Sequence, residues 1–221
     1  MLSKQIISKL KESLNESFLE FNLTIKKVNQ GISLSKVTDD TAFVAVASFS
    51  DYNDFLVFQS LIANIRYDKI EAYLTPILQR ERLLGPSTSY REQFTIGSHI
   101  EFGFDNSIRN LQVRSLEETS IVIERIQEFI DKKALPFFED FKSFDHAYQL
   151  VLNMPEDQLV QNLGINGVLK KLTILKFASD PIWFHYGESV IAQNQKFLVE
   201  NPGEPVYERR INALREILHR D

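Results

Sequence analysis

Thr41-Ala42-Phe43-Val44-Ala45-Val46-Ala47-Ser48-Phe49 is a short, nearly all-apolar run. Asp39-Asp40 precedes it and the polar cluster Ser50-Asp51-Tyr52-Asn53-Asp54 follows. A run of this length, rich in Val and Phe and closed by turn formers, reads as a strand covered on both faces. It therefore predicts a strand central in a sheet. Upstream, Ile32 and Leu34 alternate with Ser33 and Ser35, after the turn signal Asn29-Gln30-Gly31. Before that, Phe21, Leu23 and Ile25 alternate with Asn22, Thr24 and Lys26. These are two further strands at period two. Leu2, Ile6, Leu10 and Leu14 recur every four residues, which predicts a helix over 2–17.

Downstream, residues 55–66 (FLVFQSLIANIR) admit two readings. Their β-branched and aromatic content favours a long strand, while Phe55, Phe58, Ile62 and Ile65 also fit a helix. We take the strand. Ile70, Tyr73, Leu74, Ile77 and Leu78 predict a helix over 67–83, with Pro76 expected to kink it or end it early. Residues 84–89 (LGPSTS) are a loop. Over 94–104, Phe94, Ile96, Ile100, Phe102 and Phe104 share one face, and Thr95, Gly97, His99 and Glu101 the other. Leu111 and Val113 suggest one more strand.

From Ser115 onward the pattern is helical. Ser115 and Glu118 have capping-box spacing, and Val122, Ile126, Phe129 and Ile130 form the apolar stripe. The Ala134-Leu135-Pro136 step is expected to break and restart that helix. Ser143 fits a cap, Pro155 a helix start and Gly164 a helix stop. A helix over 167–178 follows. Ser179-Asp180-Pro181 opens another reaching Val199, and Ile211, Leu214 and Leu218 mark the last. Strands in front and helices behind predict an α+β fold: an antiparallel sheet with flanking helices, then a helical C-terminal half. The expected division is 1–114 and 115–221, or one compact domain.

Composition narrows the chemistry. Zero Cys removes disulfides, thiolate metal sites and thiol nucleophiles, and fits a reducing, cytoplasmic setting. With 25 basic and 30 acidic side chains the net charge is −5, and neither half of the chain is basic. No broad electrostatic footprint for nucleic acid is present. The first residues lack the apolar core of a secretory leader, and no run is long enough for a membrane span. The 8 Gly contain no G-x-G pair, and no P-loop is present. The four His are far apart, without H-E-x-x-H spacing. No cofactor or metal ion is expected, and no catalytic residue is assigned.

Candidate binding residues remain. His99 and Glu101 project from one strand face at i and i+2, as an acid/base pair would, or as two exposed polar residues do. Arg66 suits an anion, or simply pairs with Asp68. Trp183, His185 and Tyr186 form the densest aromatic run. They read as a pocket wall with His185 as its polar group, or as ring packing that Gly187 permits. Asp51, Asn53 and Asp54 read as a turn. The pairs Lys26-Lys27, Lys132-Lys133 and Lys170-Lys171 read as helix ends and solvated faces.

The segments Ile65-Arg66-Tyr67-Asp68-Lys69-Ile70-Glu71 and Ala134-Leu135-Pro136-Phe137-Phe138-Glu139-Asp140-Phe141 resemble those of small bacterial proteins grouped only as a family of unknown function. The resemblance covers roughly residues 5–150 and implies an intracellular bacterial α+β protein. It supplies no catalytic residues. The expected function is non-enzymatic protein binding, for instance a toxin neutralised by an acidic surface in the manner of an immunity protein. The alternative is a small-ligand binder or enzyme using the polar face of 94–104.

Overall fold

The computed structural model describes residues 2–28, 31–97 and 110–220. The fold is α+β, with an antiparallel curled sheet towards the front of the chain and helices behind. Helix α1 (Leu2–Ser17) buries Ile6, Leu10 and Leu14 completely, the stripe its four-residue spacing dictates. Strands β1 (Thr24–Val28), β2 (Gly31–Val37), β3 (Thr41–Asp51) and β4 (Leu56–Tyr67) follow. They lie in the order β1-β2-β3-β4-β5, where β5 is Ile96–Gly97, and β6 (Gln112–Val113) pairs with β4. β1 pairs antiparallel with β2, with Ile25 opposite Leu34. β2 pairs antiparallel with β3, with Leu34 opposite Ala45.

β3 is the central strand its apolar run predicts. Phe43, Ala45, Ala47 and Phe49 are buried, and Val44, Val46 and Ser48 are half-buried, so both faces are covered. The 55–66 segment is strand. β-branched and aromatic side chains favour the pleated surface, and Leu56, Phe58, Ala63 and Ile65 are buried along it. Of the 94–104 alternation, residues 98–104 lie outside the described residues, and 96–97 are strand.

Three expectations are corrected. Pro76 does not break α2 (Asp68–Arg80): burial of Ile70, Leu74, Ile77 and Leu78 holds the helix through it. Ser115 does not cap a helix directly. Its hydroxyl accepts from the Glu118 N–H at 3.4 Å, while the Glu118 carboxylate accepts from the Arg114 N–H at 2.6 Å. Helix α3 (Thr119–Phe129) therefore starts beyond that turn. At Pro136 the chain does not break either. A π-helical turn over Ile130–Ala134 joins α3 to α4 (Leu135–Asp140). The wider turn accommodates a ring that would otherwise press on the carbonyl one turn back.

The chain forms two compact units, interleaved in sequence: residues 1–65 with 97–142, and residues 66–96 with 143–221. In the first, rings join strands and helices: Phe49 meets Phe58 edge-on at 5.2 Å, and Phe43 of β3 meets Phe138 of α4 at 5.2 Å. The second holds α2, α5 (Phe144–Leu152), α6 (Leu159–Leu163), α7 (Gly167–Phe177), α8 (Trp183–Glu200) and α9 (Pro205–His219). Ser143 caps α5, its hydroxyl accepting from the Asp145 N–H at 3.2 Å. Asp180 accepts from the Ile182 N–H at 2.8 Å, and α8 begins at Trp183. The core of this unit joins Leu74, Ile77 and Leu78 of α2 to Leu172 of α7, Val190 of α8 and Leu214 of α9. α7 is buried on nearly every side, from Leu169 through Leu175. Among the described residues no helix is long and apolar enough to cross a membrane.

Candidate functional site

α7 organises two polar neighbourhoods, both within the second unit. The first is sealed. Glu71 on α2 is 0% exposed, and one of its carboxylate oxygens accepts from the Thr95 hydroxyl at 2.9 Å. The same oxygen lies 3.7 Å from the Lys170 ammonium. Lys170 also donates to the Phe94 carbonyl, and the Thr95 hydroxyl accepts from the Tyr67 N–H at 3.0 Å. Burial pushes the Glu71 carboxyl above its ordinary range, and Lys170, Thr95 and Arg66 pull it part of the way back. Burial likewise lowers Lys170, with Glu71 opposing. Lys171 is buried beside it and donates to the Met154 carbonyl at 2.9 Å.

This corrects the reading of Lys170-Lys171 as a solvated face. The pair sits inside a helix with apolar residues on all sides, Leu169 before it and Leu172, Ile174 and Leu175 after it. That all-round apolar pattern was the available signal, since a helix apolar on every face is a buried one.

The second neighbourhood is open. α6 ends at Gly164, whose φ of +79° suits glycine, and the chain turns through Asn166 into α7. The Gly167 N–H donates to the Gly164 carbonyl at 2.8 Å. A Cβ on Gly167 would stand 2.6 Å from the Leu159 carbonyl oxygen, so glycine is what lets α6 and α7 approach. Asn166 is at the cap position, but its side chain makes no cap bond and its backbone lacks the extended geometry of a capping residue. The N–H groups of Val168 and Leu169 consequently have no acceptor in the protein among the described residues.

These residues line a cleft of about 220 Å³. Its opposite walls are helix stripes: Val190, Gln193, Asn194 and Phe197 on α8, and Arg210 and Leu214 on α9. Asn166 is only 9% exposed, and its amide has no hydrogen-bond partner among the described residues. Asn194 is 7% exposed and donates to the Val190 carbonyl at 2.9 Å, leaving its amide oxygen free. Buried polar groups are ordinarily partnered. Described side-chain atoms that are both sealed and unpartnered belong to Asn64, Glu71 and Thr75, so the Asn166 amide stays reachable from the cleft. Glu156 lines the rim, and its carboxylate accepts from the Tyr186 hydroxyl at 2.9 Å. Burial, then Glu156, raises the Tyr186 phenol well above its ordinary value, so it stays a donor.

The residues singled out from sequence fall in several places. Arg66 is 8% exposed: it pairs with Asp68 at 2.6 Å, donates to the Arg91 carbonyl at 2.7 Å and lies over the Tyr90 ring. Those partners use its charge internally. Trp183 and Tyr186 pack on the helical core, with Lys176 over the first ring and Lys171 over the second. A Cβ on Gly187 would meet Leu218 at 2.6 Å, a close helix approach. His185 is exposed. Of the described members of the set, only Tyr186 touches the cleft, through Glu156. His99 and Glu101 lie outside the described residues. Asn53 donates its N–H to the Asp51 carboxylate at 2.8 Å, the turn expected there. Asn166, Asn194 and Arg210 were missed because no motif marks a polar side chain with bonding capacity left over after folding.

Among the described residues lining the cleft there is no Ser, Thr, His, Lys or Tyr, and its titratable groups are Glu156 and Arg210. The walls offer donors, amides and apolar surface. Among the described residues no cluster of His, Asp and Glu could hold a metal ion. Comparison with protein-family models, with curated proteins and with solved structures found no match to this chain.

Proposed function

We propose that this chain is a non-enzymatic binding protein and that the cleft at the start of α7 is a small-ligand site. The observation that carries this reading is the Asn166 amide: nine-tenths buried, unpartnered and facing a cleft beside two unsatisfied N–H groups. Left dry, such groups would cost about 1–3 kcal/mol each, so whatever fills the cleft has to supply their partners. A ligand that does so gains directed hydrogen bonds from a preformed wall. A thermal-shift screen of small metabolites against the full chain tests it. A hit should raise the melting temperature, and Asn166→Leu should remove the shift. A shift that survives Asn166→Leu, or no hit in a broad metabolite panel, counts against the site.

A second reading, a protein partner, is favoured by the rim. Ile165 is 75% exposed, Val160 60% and Phe197 38%, all beside the same cleft. With a net charge of −5, the partner would be a basic protein, as a toxin bound by an immunity-type protein would be. Ile165→Asp should then abolish capture of that partner while circular dichroism shows the chain still folded, and capture that survives the substitution would count against this reading.

A further inference from the structure

We propose that the cleft takes a zwitterionic α-amino acid with an apolar side chain. The inference rests on the small-ligand reading above and names its ligand class. Arg210 and Glu156 line the same cleft but form no ion pair with each other. Among the described residues, the Arg210 guanidinium has no ion-pair or hydrogen-bond partner, while the Glu156 carboxylate accepts from the Tyr186 hydroxyl and feels the Lys171 ammonium at longer range, with no ion pair made to it.

Arg210 is half-buried and calls for a counter-charge, while Glu156 stands exposed on the rim of the same cleft. A plain carboxylate would answer Arg210 and the Val168 and Leu169 N–H groups, and would leave Glu156 repelling it. A plain amine would answer Glu156 and meet Arg210. A ligand carrying an ammonium and a carboxylate on the same carbon satisfies both walls. Its carboxylate takes the positive end of α7, with Arg210 and the Asn166 amide as further donors. Its ammonium is drawn to Glu156 and can donate to the free Asn194 oxygen. α7 runs 11 residues, long enough for a helix-end field. The remaining wall is apolar, from Leu159, Val190, Phe197 and Leu214. At about 220 Å³ the cleft is below the usual drug-sized pocket of roughly 300–1,000 Å³, which suits one small metabolite.

The test is calorimetric titration of the full chain with L-leucine, L-methionine and L-phenylalanine, followed by the amide and the deaminated acid of the tightest binder. We expect one-to-one saturable binding of at least one amino acid, with both analogues at least tenfold weaker. Arg210→Gln should erase the preference over the amide, and Glu156→Gln the preference over the deaminated acid. Both positions are at least part-exposed, and circular dichroism checks that the variants fold. If none of the three amino acids binds, or if the analogues bind equally well, the ligand class is wrong. The cleft reading would survive that failure where other metabolites still give a thermal shift that Asn166→Leu removes. It falls with the ligand class where no such shift exists.

Discussion

Two ends of the same helical turn treat polar groups in opposite ways. At Lys170 the charge is sealed in and answered: Glu71 lies 3.7 Å away, the Thr95 hydroxyl donates to its carboxylate, and the Phe94 carbonyl accepts a hydrogen bond from the ammonium. Four residues earlier, the Asn166 amide is almost as buried and is answered by nothing among the described residues. Burial alone therefore does not mark a site. A buried group with partners is part of the structure, and an unpartnered one that solvent can reach is where an outside molecule gains most. If this contrast is right, removing a partner from the sealed set should be severe, and removing the open amide should be mild for stability and severe for binding.

The largest effect is expected at Lys170. Lys170→Met leaves the Glu71 carboxylate without its counter-charge, and breaking a buried pair in this way costs about 3–5 kcal/mol. Urea unfolding measures it. The pH dependence has a definite sign. Burial raises the Glu71 carboxyl in the folded state, so between its ordinary value and that raised value the native state binds more protons than the unfolded chain. Stability contributed by this group therefore falls as pH rises through that window. Without Lys170 the carboxyl rises further. The deficit of Lys170→Met should be greatest at neutral pH and shrink as pH falls towards the ordinary carboxylate range. A deficit independent of pH would show that Glu71 is not the stranded group.

Gly167→Ala probes the joint between the two neighbourhoods. The new Cβ meets the Leu159 backbone, which cannot swing aside as a side-chain end can. We expect a loss of about 1–3 kcal/mol from overpacking, read as a lower urea midpoint. The displaced α6 should also weaken any ligand response of the cleft. Unchanged stability would mean that α6 moves freely against α7.

Asp68→Asn should do less. Arg66 keeps the Arg91 carbonyl and the Tyr90 ring, and Asn retains an acceptor oxygen. A loss of about 1 kcal/mol is expected from weakening one charge-assisted bond. A loss as large as that of Lys170→Met would mean that Arg66 depends wholly on Asp68.

How much of this was legible in the sequence follows from what repeats. Local pattern carried the elements: period two placed β2, an unbroken apolar run placed β3, β-branched and aromatic content placed β4, and period four placed α1. Caps at Ser143 and Gly164 were readable because one residue type does one local job. Pro76 and Pro136 misled, since a local rule about proline yields to long-range burial in one case and to a π turn in the other. The cleft was not readable. Asn166 and Asn194 are ordinary polar letters, and their meaning lies in partners they lack after three helices meet. Trp183 and His185 drew attention by rarity, yet the structure uses Trp183 as packing and leaves His185 exposed.

The smallest change in stability, and the most telling, is expected at Asn166. Leucine has nearly the shape of asparagine and no polar atoms to satisfy. Replacing a partnered amide in this way would lose a hydrogen bond and destabilise. Replacing one that has no partner in the described protein loses no such bond and should be neutral to within about 1 kcal/mol. The same substitution should abolish the ligand-induced thermal shift, because it deletes a donor from the cleft and leaves the fold alone. Asn194→Leu is the internal control: it gives up the bond to the Val190 carbonyl, so it should destabilise where Asn166→Leu does not. If both variants lose stability alike, Asn166 has a structural partner after all, and the distinction between the sealed and the open ends of α7 disappears.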